Sequence, residues 1–341
     1  MVHSVIFTNR FGRSLKCELG APGVTCLAIR SISGLGPGTA TVNIHDIPTT
    51  DGGYYGSSRY SPRNIVISFS FLDYNENYQY VPVETTRHLA YSFFQPKTRV
   101  QVIVKSDERF LMITGVVEGC EPDIFSPNTS CQVSIVCPDY YFKLANPESR
   151  DQLIRLYSSG LFEFPFSNES LTHRLIQFGN ASPINSVYVD YDGDSETGMR
   201  FEVVFTGETV GGTIKLANIP KGKPMENVNI GNEPYLNWHD LNVGEQYIEI
   251  DIAELHSRLN ARYPDPIYTH GNKIVISTVV GSKCVKYVLE DGTEYNILGY
   301  LPHLEWIKIY PGLNTFVVRT EENYVGHFRV YGVFDTLYTG V

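Results

Sequence analysis

Short runs in which apolar and polar residues alternate recur along almost the whole chain, each closed by Gly, Pro, Asn or Asp. NIVISFSFL at 64–72 is the clearest of them. Side chains on a strand point alternately to its two faces, so this period spells a half-buried β-strand. The pattern returns at 4–9, 15–19, 24–32, 99–106, 110–122 and 131–138. In the second half it returns in NSVYVDY (185–191), MRFEVVF (199–205), TIKLANI, QYIEIDI, KIVISTV, KCVKYVL, WIKIY, TFVVRT and HFRVYGV. Residue usage agrees: 23 Tyr and 18 Phe stand against nine Ala. Aromatic residues suit pleated sheets, whereas alanine is the best helix former. One segment reads as a helix, VETTRHLAYSFF at 83–94, with Leu89, Ala90 and Phe93 at helical spacing, Thr85 or Thr86 near its start and Pro96 as its stop. The expectation is a mainly β protein.

At 341 residues the chain is long enough for two domains. Net charge is −10, unevenly spread: residues 1–142 carry 11 Lys/Arg against 12 Asp/Glu, and the remainder 16 against 25. A protein that grips nucleic acid without regard to sequence needs a basic surface, so that class is disfavoured. Texture changes at 143–165, where periodicity is lost, and a boundary is placed there: 1–145, a linker at 146–165, and 166–341. The six cysteines form no Cys-x-x-Cys pair, and Cys131 and Cys137 share one face with Val133 and Ile135, so they read as reduced core residues. The first ten residues hold too short an apolar run for a signal peptide, and no window approaches the ~20 apolar residues of a membrane span. Synthesis and folding in a reducing cytoplasm is expected.

A search for chemistry returns little. Residues 51–59, DGGYYGSSR, read as an irregular loop because of three glycines and Asp51. DGDSETG at 192–198 reads as the solvated tip of a hairpin between the strands at 185–191 and 199–205. The acids Asp190, Asp192, Asp194 and Glu196 fail calcium-loop spacing, since Gly193 comes too early and position 201 is Phe. His45-Asp46 and His239-Asp240 are strand neighbours that face opposite ways. Ser57 and Ser58 lack a nucleophile elbow, and GLGPG at 34–38 lacks the Lys of a phosphate loop. No catalytic, metal or cofactor site is expected.

A resemblance enters through ordered motifs: Gly34-Leu35-Gly36-Pro37, then Asp51-Gly52-Gly53-Tyr54-Tyr55-Gly56-Ser57-Ser58-Arg59, then Pro62-Arg63-Asn64, with Arg87, Leu89, Tyr91 and Phe93 on the helix and Cys137-Pro138 beyond. Asn242-Val243-Gly244-Glu245, Asp291-Gly292-Thr293, Leu304-Glu305-Trp306, Pro311-Gly312-Leu313 and the ending Leu337-Tyr338-Thr339-Gly340-Val341 continue the series. Together they resemble the distal tail proteins of long, non-contractile-tailed bacteriophages, with Gly34, Gly36, Asp51, Gly52, Tyr55, Arg59, Arg63 and Arg87 as the motif residues. Two stretches, 143–170 and 217–240, are longer than that family leads one to expect.

The resemblance implies an N-terminal β-sandwich with a hairpin arm and one helix, and a C-terminal galectin-like, jelly-roll β-sandwich. It also implies a structural virion protein of the tail tip, not an enzyme, made in the host bacterial cytoplasm. Six copies would form a ring that meets the tail tube protein and the tail-tip hub protein and anchors receptor-binding proteins. DNA would pass through the channel without being read, and no membrane or cofactor is involved. The competing reading is a carbohydrate-binding β-sandwich module for host attachment. Trp238, in the long 217–240 stretch, is its sugar-stacking candidate, because Trp306 precedes an alternating strand and is expected to be buried.

Overall fold

The computed structural model describes residues 2–47, 51–123, 129–145, 152–157, 184–206, 211–220, 246–262, 271–320 and 327–341. The chain divides into two compact units, Met1–Arg150 with Leu337–Val341, and Asp151–Thr336. The last five residues thus group with the first unit.

The first unit contains β1 (Val2–Asn9), β2 (Ser14–Leu19), β3 (Leu27–Ser33), β4 (Ala40–Asp46), β5 (Gly53–Tyr60), β6 (Arg63–Phe71), α1 (Val83–Phe93), β7 (Arg99–Ser106), β8 (Phe110–Asp123), β9 (Ser130–Cys137) and β10 (Phe142–Leu144). Strands pair in the order β8-β7-β1-β2-β3-β6-β9, and β9 pairs back onto β8. One continuous sheet therefore closes on itself like a barrel, instead of two separately bonded sheets. The 14 residues of β8 make the closure. Phe110–Val116 pair with β7 and Val116–Asp123 pair with β9, and the register shifts between Val117 and Gly119, where the strand turns. On its other flank β8 carries β10, which pairs with the C-terminal strand Leu337–Tyr338.

Alternation puts Ile65, Ile67, Phe69 and Phe71 of β6 inside, with Val5, Phe7, Val100, Val102 and Val133 from neighbouring strands. Helix α1 has no side-chain N-cap bond. Its hold is Ala90, Phe93 and the following Phe94, whose ring meets Phe7 at 5.2 Å and Phe69 at 5.5 Å. A cap is worth about 1 kcal/mol, and each buried aromatic about 1.5–3 kcal/mol, so packing decides where this helix sits. The cysteines are free thiols. Burial pushes Cys17 up to about 12 and Cys137 up to about 11, so neither is a thiolate at neutral pH.

The second unit contains β11 (Gln152–Tyr157), β12 (Ile184–Tyr191), β13 (Thr197–Phe205), β14 (Thr213–Pro220), β15 (Gln246–Asp251), α2 (Ile252–Arg262), β16 (Lys273–Ser277), β17 (Cys284–Val288), β18 (Glu294–Asn296), β19 (His303–Leu304), β20 (Lys308–Ile309), β21 (Gly312–Thr320) and β22 (Phe328–Phe334). One sheet runs β11-β22-β13-β16-β17-β18, with β20 also on β13, and the other runs β12-β21-β14-β15-β19. Both feed one core: Phe201 and Ile276 come from the first sheet, Leu216, Ile250 and Phe316 from the second. Trp306 is half-buried against this core, with the Lys283 ammonium 5.1 Å from its ring.

Two expectations are corrected here. The segments at 185–191 and 199–205 are not a hairpin: β12 pairs with β21, while β13 pairs with β16, β20 and β22. Turn residues mark a reversal but not its partner. This turn carries the chain from one sheet to the other. The buried Tyr191 ring braces it, its hydroxyl donating to the Ser195 carbonyl at 2.9 Å. Glu196, one of the suspected metal-site acids, pairs with Lys308 instead.

The second correction is helix α2, which joins the expected helix at 83–94. Its signals are in the sequence. The Asp251 carboxylate accepts the Glu254 N–H at 3.0 Å as an N-cap, and Ile252, Leu255, His256 and Leu259 follow helical spacing into the core. The run is 11 residues long and follows a strand without a break, so alternation in QYIEIDI masked it.

His256 on α2 is 9% exposed, and burial lowers its pKa from 6.5 to about 4. Because the folded-state value lies below the unfolded one, the unfolded chain binds the extra proton between pH 6.5 and 4. Stability from this residue is full above pH 6.5 and falls as pH drops through that window, by on the order of 3 kcal/mol. Calorimetry from pH 7 to 4 should show the transition temperature falling, and His256→Gln should flatten that fall.

Candidate interaction site

Strands β4 and β5 pair only with each other, antiparallel from Ala40↔Tyr60 to Asp46↔Gly53. Every residue of the two strands is exposed. The segment expected to be irregular, 51–59, is therefore mostly a regular strand. Its glycines have specific tasks. Gly56 is the extra residue at the register shift, and a Cβ there would come within 2.6 Å of the His45 ring. Gly52, at a φ of +97°, makes the turn beside Asp51.

With Gly56 as the bulge, opposed residues sort onto two faces. One carries Thr41, Asn43, His45, Tyr54, Ser57 and Arg59: Asn43 Nδ2 donates to Ser57 Oγ at 2.9 Å, and His45 stacks on Tyr54 at 5.0 Å. Side chains on the same strand two apart share a face, so His45 and Asp46 do point apart. The other face is apolar: Val42 is 52% exposed, Ile44 63% and Tyr55 64%. Its polar members are Ser58, whose hydroxyl bonds that of Tyr55 at 2.7 Å, and Asp46 at the far end.

A lone two-stranded hairpin is marginal in water, so its foot matters. Arg63, the first residue of β6, is 4% exposed there. Its guanidinium donates through Nε to the Tyr140 carbonyl at 3.0 Å and through Nη1 to the carbonyls of Gly34 at 2.7 Å and Gly36 at 2.6 Å. Through Nη2 it donates to the Thr339 carbonyl at 2.6 Å. The Tyr140 and Phe142 rings flank it at 4.9 and 4.6 Å. Burial lowers its pKa, but an arginine keeps its proton at any working pH. Four carbonyl dipoles hold the charge that a carboxylate usually would.

The same cluster fastens the arm. Tyr60 stacks on Tyr140 at 4.0 Å, the Gly38 N–H donates to the Tyr140 hydroxyl at 2.8 Å, and the Val341 N–H donates to the Leu35 carbonyl at 3.0 Å. Gly34 has φ +84°, and a Cβ there would lie 2.1 Å from the Asn64 carbonyl oxygen.

The motif residues thus fall into three places. Gly34, Gly36 and Arg63 form the anchor; Asp51, Gly52, Tyr55 and Arg59 belong to the hairpin; Arg87 lies on α1, 3.4 Å from Glu84. Trp238 and the His239-Asp240 pair lie outside the described residues, as does 221–240 of the long stretch. Sequence reasoning missed Val42, Ile44, Tyr60 and Tyr140. The segment ATVNIHD at 40–46 reads as alternating, but reading 51–59 as irregular hides its partner strand and with it the place of the first two. Among the described residues no group of three or more His, Cys, Asp and Glu side chains is placed to hold a metal ion.

These geometries define a β-rich, two-unit protein with an exposed hairpin arm, and its fold is that of a solved phage protein. The Dit (gp 19.1) protein of phage SPP1, described as a paradigm of the hub adsorption apparatus in phages infecting Gram-positive bacteria, matches with a TM-score of 0.56 at 11% identity over 98% of both chains. Two structures of the activated phage p2 baseplate, with Sr and with Ca, match at TM-scores of 0.34 and 0.33 and 11% identity, over 94% of this chain and 98% and 99% of theirs. No protein-family model matches the chain, and no curated protein matches it by sequence. The fold assignment rests on the SPP1 protein: this chain has the fold of a phage Dit protein.

Losing the anchor leaves four carbonyls without this donor, that of the buried Tyr140 among them. Arg63→Ala should cost at least about 1.5–3 kcal/mol in chemical denaturation, the range of a single hydrogen bond to a charged group. Arg63→Lys should recover less than half, because an ammonium cannot reach four acceptors as a planar fork does. Gly34→Ala should cost about 1–3 kcal/mol from its backbone angle alone.

Proposed function

We propose that this chain is a structural protein of a phage tail tip, in which copies join side by side as a ring, six to a turn, between the tail tube protein and the tail-tip hub protein. The observation that carries the reading is the end-to-end match of fold to SPP1 Dit, together with an arm whose apolar face is exposed among the described residues. A closed ring needs a heterologous contact, one surface meeting a different one on the next copy, and an arm that reaches beyond its own barrel suits that geometry. On this reading the first domain, residues 1–145, forms the ring. The second unit, Asp151–Thr336, is the galectin-like sandwich, its two sheets sharing one core, and receptor-binding proteins anchor on the assembled tip. The tail tip places the protein in the virion, and its role is assembly, not turnover.

Sedimentation velocity and negative-stain microscopy of the intact chain test the reading. A discrete ring is expected, and removing residues 41–59 should abolish it while the circular dichroism of the barrel stays unchanged. A chain that stays monomeric at every concentration and is retained on host polysaccharide would replace it with the carbohydrate-binding reading.

A further inference from the structure

Two of the six cysteines meet where the barrel closes. From Gly119 to Asp123, β8 pairs with β9 alone among the described strands, just past the register shift between Val117 and Gly119. Cys120 stands opposite Val133, and Pro122 opposite Cys131. Cys131, Val133 and Ile135 alternate onto the core side of β9. A residue opposite Val133 shares its face, and so does one two positions along, so Cys120 and Cys131 are diagonal neighbours on one face. Strand twist draws one of the two diagonals together. Here the thiols come close enough for the Cys131 S–H to act as a hydrogen-bond donor to the Cys120 sulfur.

The two thiols are unequal in the way a reacting pair is. Cys120 is partly exposed, and the bond from Cys131 holds its pKa below the ordinary thiol value, against the opposing effect of burial. Cys131 is 2% exposed, and the same bond, with burial, raises its own value. The thiolate is the nucleophile in disulfide chemistry, so Cys120 meets an oxidant first and the shielded Cys131 is left to resolve it. Cys17 also lies near Cys131, but it is fully buried and pushed up to about 12, so it does not compete.

A diagonal pair spans about 7–8 Å between Cα atoms, and a disulfide needs about 4.4–6.8 Å, so closing the bond takes a shift of about 1 Å. The stretch that must give is the bulged end of a strand held on one side, where such a shift is cheapest.

We propose that Cys120 and Cys131 are a modification site, which an oxidant of the disulfide class converts to a covalent bond between β8 and β9 that locks the barrel closure. With oxidised glutathione, the Cys120 thiolate attacks one sulfur, forming a mixed disulfide and releasing one glutathione thiolate. Capping Cys120 removes the negative charge that helped hold the proton on Cys131. The Cys131 sulfur then loses its proton, attacks the Cys120 sulfur and releases the second glutathione thiolate. The two thiol protons pass to the two glutathione thiolates: two cysteines are oxidised to one disulfide, and one oxidised glutathione is reduced to two thiols. The bond closes residues 121–130 into a loop, constraining the unfolded chain and pinning the end of β8 in the folded one. On the tail-tip reading it forms after release from the reducing cytoplasm, but the site itself does not depend on that reading.

The test is incubation of the full-length chain with oxidised glutathione in the absence of denaturant, followed by unfolding, alkylation of the remaining thiols and peptide mapping. Six alkylated cysteines before oxidation should become four, with a Cys120–Cys131 cross-linked peptide and no covalent dimer. The oxidised chain should unfold at a higher temperature than the reduced one, and Cys120→Ser with Cys131→Ser should abolish that difference. Cys131→Ser alone should stall as a mixed disulfide of Cys120 with glutathione, and Cys120→Ser alone should leave Cys131 unmodified. The mapping needs no variant, so it decides the site even where Cys131→Ser fails to fold. A native chain that stops at the mixed disulfide, that joins Cys17 to Cys131, or that forms the bond only in denaturant overturns the proposal. So do oxidised and reduced forms that unfold at the same temperature.

Discussion

A single buried guanidinium ties together parts of the chain that are far apart in sequence. Arg63 bonds to carbonyls at positions 34, 36, 140 and 339, so the loop into the hairpin, the strand out of it, the approach to β10 and the C-terminus all close on one side chain. Burying a charge is expensive unless its donors are used, and here four of the five N–H groups are accounted for, with aromatic rings on the flanks. Carbonyls in place of a carboxylate have a consequence. The anchor holds no group that titrates near neutral pH, so its grip does not vary over the range in which a carboxylate partner would lose its charge.

That anchor explains how a hairpin with no buried residue can be part of a folded protein. Cross-strand pairs such as His45–Tyr54 contribute at most about 1 kcal/mol each, too little to order 16 or more residues against their conformational entropy. Fixing the foot through Tyr60, Tyr140 and Arg63 sets the direction in which the ribbon leaves the barrel. It does nothing for the apolar face, and Ile44 stays as open to water at one end of the barrel as Tyr80 does at the other. Exposed apolar surface of this extent is what a partner surface would cover.

Much of this architecture was legible in the residues. Period-two alternation located β6, β7, β8 and β9 almost to the residue, because each has one face in a core and one in water. It failed where that contrast is missing. Strand β5 has water on both sides, and its glycines, needed for the bulge and for the close pass of His45, looked like loop residues. Pairing was invisible as well, since Asp and Gly turn a chain whether the next strand joins the same sheet or crosses to another, as happens between β12 and β13. Helix α2 was legible through Asp251 and Glu254 but hidden behind the strand it continues. The role of Arg63 could not have been read locally, because the carbonyls it binds lie 27 to 276 positions away.

Charge is partitioned along the chain in a way that fits what each part is built to do. Residues 1–142 carry a net −1, and nearly all of the chain's −10 lies beyond them. Copies packed around an axis bring the same surface together repeatedly, and unscreened like charges within about 10 Å of each other would oppose that. A net of −1 leaves little such repulsion to overcome in the first part, so on the ring reading it is the part suited to close packing.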